Sequence, residues 1–171
     1  KLPYFNLLDT ITGEMVSSID IKGKKGTLVI FMCNHCPYVL HVIHELVKIG
    51  YEFMNQGIGI VAISANDVEN YPEDHPSKMK ELGLSLKFPF PYLYDETQEV
   101  AKLYDAACTP DFNLFDKKGN CVYRGQLDES RPGNDKSVTG SDLRIAMELV
   151  VKGSKVPINQ IPSCGCNIKW K

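Results

Sequence analysis

Two apolar runs dominate the chain. Leu28–Met32 and Ile58–Ala65 are nearly unbroken and rich in β-branched residues, the pattern of strands buried on both faces. Between them Val39, Val42, Ile43, Leu46, Val47 and Ile49 recur with a period near 3.6. This predicts an amphipathic helix from about Pro37 to Asn55, stopped by Gln56-Gly57. The right-handed crossover rule makes the two strands parallel. Upstream, Tyr4–Leu8 and Met15–Ile19 flank Asp9-Thr10-Ile11-Thr12-Gly13 and read as an N-terminal hairpin.

Downstream the elements shorten. A helix is predicted over about Pro76–Leu84, an extended piece over Phe88–Tyr94 and a helix over Thr97–Tyr104. Phe112–Phe115 and Cys121–Arg124 flank Asp116-Lys117-Lys118-Gly119-Asn120, a hairpin signal. Gly125–Gly140 is a polar loop, and Ser141–Lys152 carries a last helical period in Leu143, Ile145, Ala146, Leu149 and Val150. The order β-α-β-α-β-α-β-β-α predicts an α/β sandwich around a central mixed sheet. Its 171 residues read as one domain, 1–171, with 153–171 as a C-terminal tail.

Composition narrows the function classes. The hydrophobic fraction is 43%, the charged fraction 23% and the net charge −2, so bulk charge favours neither nucleic acid nor an anionic membrane as partner. No apolar stretch approaches the roughly 18 residues of a membrane span, and no signal-peptide pattern is present. A cytoplasmic location is the expectation; the chain begins at Lys1 rather than Met, which leaves an upstream targeting segment open.

The six cysteines carry the chemistry. Cys33 and Cys36 form a C-x-x-C where a buried strand hands over to a helix, the setting of a redox dithiol. Unpaired N–H groups and the helix dipole favour a thiolate there. Cys33 is expected to be the more exposed and more acidic thiol and the attacking one, with Cys36 resolving. His35 is expected to stabilise the Cys33 thiolate. Cys164 and Cys166 form a C-x-C in the tail, either solvated or folding back to offer a resolving thiol, with Cys166 the favoured one. Cys108 reads as a small core residue or a third thiol near the dithiol, and Cys121 as packing.

Cys33-Asn34-His35-Cys36-Pro37, together with Thr109-Pro110 just before the predicted strand Phe112–Phe115, resembles the thioredoxin fold. Ala107-Cys108-Thr109-Pro110-Asp111-Phe112, Arg124-Gly125-Gln126-Leu127-Asp128, Ser130-Arg131-Pro132-Gly133-Asn134 and Gly165-Cys166-Asn167-Ile168-Lys169-Trp170 extend the likeness. They resemble a peroxiredoxin-like subfamily of the alkyl hydroperoxide reductase/thiol-specific antioxidant (redoxin) superfamily. The resemblance implies a thioredoxin-like fold with an N-terminal β-hairpin extension. It also implies a cis Thr109–Pro110 bond packed against the dithiol. Pro110 would leave room for an extended substrate strand, and Thr109 would supply backbone hydrogen bonds to it.

Departures shape the functional expectation. True peroxiredoxins place a threonine where Cys33 stands and an arginine where the count falls on Pro110. Thioredoxin's buried acid has no counterpart in Gly26-Thr27-Leu28-Val29, so another group must move the proton of Cys36. The leading expectation is therefore a thiol–disulfide oxidoreductase acting on protein or small-molecule disulfides, renewed by a thiol reductant such as thioredoxin or glutathione, with no cofactor or metal. Two alternatives stand: an antioxidant thiol peroxidase using Cys36, and a zinc or copper site built from Cys33, Cys36, Cys164 and Cys166. Arg124 and Arg131 flank a loop that returns to the dithiol end of the sheet. They read as candidate substrate-binding cations or as surface ion pairs.

Overall fold

The computed structural model describes residues 1–171. In chain order the strands are β1 (Asn6–Asp9), β2 (Met15–Ser17), β3 (Gly26–Phe31), β4 (Ile58–Ser64), β5 (Tyr92–Tyr94), β6 (Cys108–Thr109), β7 (Asp111–Asp116), β8 (Cys121–Gly125) and β9 (Cys166–Asn167). The helices are α1 (Ser18–Ile21), α2 (Pro37–Met54), α3 (Pro76–Ser85), α4 (Glu99–Leu103) and α5 (Ser141–Lys152). Seven strands form one mixed sheet in the order β2-β1-β5-β4-β3-β7-β8. β3, β4 and β5 run parallel, as the crossover rule requires, and β7 and β8 are antiparallel.

Strand alternation divides the core. Leu28, Ile30, Met32, Ile58, Ile60 and Ala62 point to one face, where α2 and α5 cover them with Val39, Ile43, Leu46, Leu143 and Met147. Val29, Phe31, Val61 and Ile63 point to the other face, with Val100, Ala101 and Tyr104. The sequence reads β3 and β4 as continuous apolar runs because both of their faces are buried.

Three boundaries depart from the sequence reading. Ile19 belongs to α1 rather than to the hairpin, because Ser17 and Asp20 close a capping box at its start. The N-terminal hairpin is no free extension, since β1 pairs with β5 and so joins the main sheet. The tail ends in β9, which pairs with β6 in a second, two-stranded sheet. Gly119 takes φ +83° in the β7–β8 turn, where Asp116 Oδ1 accepts the N–H groups of Lys118 and Asn120. No helix is long and apolar enough to cross a membrane.

Candidate active site

Cys33 lies two residues past the end of β3, and Cys36 is the N-cap of α2, with Pro37 as its first residue. Proline suits that position, because its missing N–H would have no helical partner there. β6 runs into Thr109, whose peptide bond to Pro110 is cis. Thr109 touches both sulfurs. Its hydroxyl lies 3.7 Å from Cys33 Sγ, and its carbonyl lies 3.5 Å from Cys36 Sγ, which donates to it only when protonated. The C-x-x-C and the Thr-Pro pair, more than seventy residues apart in sequence, thus meet at one end of the sheet.

The expected contrast between the thiols is overturned. Cys33 and Cys36 are equally buried, each 1% exposed. Cys33 is pushed well above the ordinary thiol range by its interaction with the Cys36 sulfur, by burial and by the nearby Asp74 carboxylate. Cys36 is pulled down to about 4 by hydrogen bonds from the Cys33 and Cys166 thiols and the Val39 N–H at the helix start, which outweigh its burial. The reduced pair shares one negative charge, and these contacts favour its resting on Cys36. The helix starts at Pro37 as the sequence predicts; what the sequence does not show is the approach of Asp74 to Cys33 and of Cys166 to Cys36.

His35 is aimed elsewhere than expected. Its Nδ1 stands 2.7 Å from Asp74 Oδ2, off the angle of a hydrogen bond, and its ring stacks on Tyr71 with centroids 5.8 Å apart. Asp74 is fully buried, and it accepts from the Asn34 N–H at 2.8 Å and from Asn66 Nδ2 at 2.9 Å. Cys33, His35 and Asp74 place their ligand-capable atoms within 4.8 Å of one another. Asp74 is the candidate site residue that sequence reasoning missed. It sits in a polar turn, Glu73-Asp74-His75, and only tertiary folding carries that turn over the dithiol.

The remaining candidates separate. Cys164 is exposed and does not join Cys33, Cys36 and Cys166, so the proposed four-thiolate metal site does not assemble. Arg124 is held by Asp111 and the Asp105 carbonyl rather than directed at the dithiol. Arg131 lines a cleft of about 20 Å³ beside Pro110, room for a water, but donates to the Asp128 and Ser130 carbonyls and to Gln126 Oε1. Both arginines are thus engaged by nearby acceptors rather than pointed at the dithiol. Cys108 alternates with Thr109 along β6, lies near Asp111 and Arg124, and is pushed up to about 11, chiefly by burial. Cys121 is exposed, not packed. Cys166 is half-buried and pairs in register with Thr109.

Comparison with known proteins agrees with this geometry. The model of the AhpC/TSA family matches residues 1–124. A solved structure of an uncharacterized conserved protein from Geobacillus kaustophilus is 54% identical, with a TM-score of 0.98 over 100% of this chain and 90% of that one. The thioredoxin domain of a thiol-disulfide oxidoreductase from Bacteroides vulgatus, 24% identical, superposes with a TM-score of 0.63 over 87% of this chain and 94% of that one, a likeness of fold. The thiol-disulfide oxidoreductase ResA of Halalkalibacterium halodurans is 26% identical over 116 residues, 68% of this chain. The match spans 61% of that protein's length.

Proposed function

The chain belongs to the AhpC/TSA family of thioredoxin-fold redoxins, and from that premise we propose that it is a thiol–disulfide oxidoreductase whose redox couple is Cys33/Cys36. The observation that carries this reading is the joint contact of Thr109 with both sulfurs at the start of α2. The relative named ResA supports an oxidoreductase of this type.

The charge distribution sets the order of steps. The Cys36 thiolate attacks one sulfur of a substrate disulfide, and the other leaves as a thiolate and takes up a proton. A mixed disulfide then joins Cys36 to the substrate. Cys33 loses its proton toward the His35–Asp74 pair and attacks Cys36 Sγ. The Cys33–Cys36 disulfide forms and the second substrate sulfur leaves. The substrate gains two electrons and the dithiol loses two. Asp74, buried beside Cys33, takes the place of the acid that the β3 sequence lacks.

A redox titration of the reduced protein against glutathione, with cysteine mapping by mass spectrometry, tests this. We expect one two-electron couple confined to Cys33 and Cys36 and abolished by Cys33→Ser. In that variant the first mixed disulfide with glutathione should form on Cys36, whichever thiol then resolves it. Absence of a Cys33–Cys36 disulfide at any ratio, or trapping on Cys33 in Cys36→Ser alone, would sink the reading or its order of attack respectively.

One observation favours a second reading. A low-lying Cys36 thiolate at a helix start suits peroxide reduction, with Cys33 as the resolving thiol. Against it, Pro110 and Thr109, not an arginine, stand beside the sulfur. Rapid, saturable consumption of hydrogen peroxide by Cys33→Ser would move the function there.

A further inference from the structure

The edge of β6 that would receive a substrate strand is already occupied. β9 pairs with it antiparallel, Thr109 opposite Cys166 and Cys108 opposite Asn167, and Ile168 N–H donates to the Ala107 carbonyl at 3.1 Å. The expectation that Thr109 offers its backbone to a substrate is corrected accordingly, because the chain's own tail takes that place.

The tail is seated on both sides of Cys166. On one side Gly165 lies so close to β6 that a Cβ there would stand 1.9 Å from the Thr109 carbonyl oxygen. Only glycine permits that approach. On the other side the Ile168 side chain is buried in the core, and Asn66 Oδ1 accepts the Lys169 N–H at 3.0 Å. Gln98 Nε2 donates to the Lys169 carbonyl at 3.0 Å. Cys166 packs against the core cluster that contains Cys33 and Cys36. Its register partner Thr109 is the residue whose carbonyl lies 3.5 Å from Cys36 Sγ.

Exposure completes the picture. Cys33 and Cys36 are each 1% exposed, whereas Cys166 is half-buried and reaches solvent. A thiol reductant approaching from solvent therefore meets Cys166 before it meets the dithiol.

We infer that Cys166 is the exit thiol of the redox couple, a third cysteine to which the disulfide migrates so that an external thiol can reduce it. The inference rests on the oxidoreductase reading above. Cys166, as thiolate, attacks Cys36 Sγ of the Cys33–Cys36 disulfide. The Cys36–Cys166 bond forms, the Cys33–Cys36 bond breaks, and Cys33 leaves as a thiolate that takes the proton. No electrons enter at this step. A reductant of the small-thiol class, RSH, then attacks Cys166 Sγ and Cys36 leaves as thiolate. A second RSH releases RSSR and restores the Cys166 thiol. Leaving-group acidity favours the reduction step, in which Cys36, the acidic sulfur, departs, because lower-pKa thiols leave faster; the migration step relies on the close seating of Cys166 against the dithiol. In the reduced state burial and the adjacent Cys36 sulfur push Cys166 up to about 11. Once Cys36 enters a disulfide its charge is gone, and the hindrance it imposes on Cys166 goes with it.

The test uses the full chain with Cys33→Ser, treated with oxidised glutathione, blocked with N-ethylmaleimide and digested for mass spectrometry. We expect a Cys36–Cys166 disulfide. A glutathione adduct on Cys36 with Cys166 alkylated would overturn the inference. Adding Gly165→Ala to Cys33→Ser should abolish the cross-link while leaving every thiol in place; a cross-link that persists would show that the β6–β9 seat does not deliver Cys166. As a check independent of Cys33→Ser folding, Cys166→Ser should slow reduction of the Cys33–Cys36 disulfide by glutathione by about tenfold or more, and an unchanged rate would sink the exit role. The two readings fail separately. A wild-type Cys33–Cys36 disulfide without any Cys36–Cys166 cross-link in Cys33→Ser removes only the exit thiol. A Cys36–Cys166 disulfide in a wild-type protein that never forms Cys33–Cys36 removes the proposed couple and leaves Cys166 as the partner of Cys36.

Discussion

At the scale of the residue, the site is governed by where one negative charge rests. Cys36 collects the Cys33 and Cys166 thiols and the Val39 N–H, while Cys33 faces the Asp74 carboxylate. The sign for pH follows. A depressed folded pKa adds stability to the reduced protein that is fully present above the ordinary thiol value of about 8.5 and is lost as pH falls through the folded one. The ultraviolet thiolate signal of the reduced protein should therefore hold from neutral pH downward and vanish near about 4. It should be absent in Cys36→Ser over that window; a first titration near 8.5 would contradict the assignment. Asp74→Asn removes a charge that helps hold Cys33 up, after Cys36 and burial. The second thiol titration of that variant should move down toward the ordinary range. An unmoved titration would make Asp74 a structural anchor for Asn34 and Asn66 only.

At the scale of the element, the polar loop between β8 and α5 shows how a segment without periodicity is ordered. Asp128 is 3% exposed and accepts the N–H groups of Ser130, Thr139 and Gly140 at 2.9, 2.8 and 2.7 Å. It ties both ends of the loop together and closes the start of α5, whose N-cap Gly140 offers no side chain. Charge-assisted hydrogen bonds contribute about 1.5–3 kcal/mol each when measured by deletion. Asp128→Ala should therefore cost on the order of 3 kcal/mol in denaturant unfolding. A loss below about 1 kcal/mol would mean that the loop orders without it. Asp128 is also flanked by Gln126 and Arg131, so the same change should loosen the cleft beside Pro110.

At the scale of the whole molecule, the last residues close the site. β9 covers the β6 edge, Ile168 fills the second core cluster, and Lys169 is gripped by Asn66, Asp67 and Gln98. A chain ending at Ser163 loses all of these contacts at once. Its dithiol should alkylate with iodoacetamide at least about tenfold faster than that of the full chain, since the buried thiolate becomes accessible. Its global unfolding transition should survive, because the seven-stranded sheet needs none of the removed residues for its pairing. Equal alkylation rates would show that the tail does not shield the dithiol.

The sequence by itself determined the architecture and singled out the dithiol that the fold brings against Thr109. Period-2 and period-3.6 patterns are local signals, and each of β3, β4 and α2 is long enough to carry one; their parallel arrangement then follows from chain handedness. Cys33, Cys36, Thr109 and Pro110 were legible because a strand-to-helix dithiol and a Thr-Pro before a strand are recognisable on their own. Only tertiary structure decided the rest. β6 and β9 are two residues each, too short for any period, and exist because they find one another. Asp74 became the buried neighbour of Cys33 through contacts forty residues apart. Arg124 and Arg131 were claimed by nearby acceptors once the loop folded. The distribution of acidity between Cys33 and Cys36 depends on which sulfur the helix start, Asp74 and Cys166 each approach, and distances of a few ångströms between remote segments are a property of packing rather than of pattern.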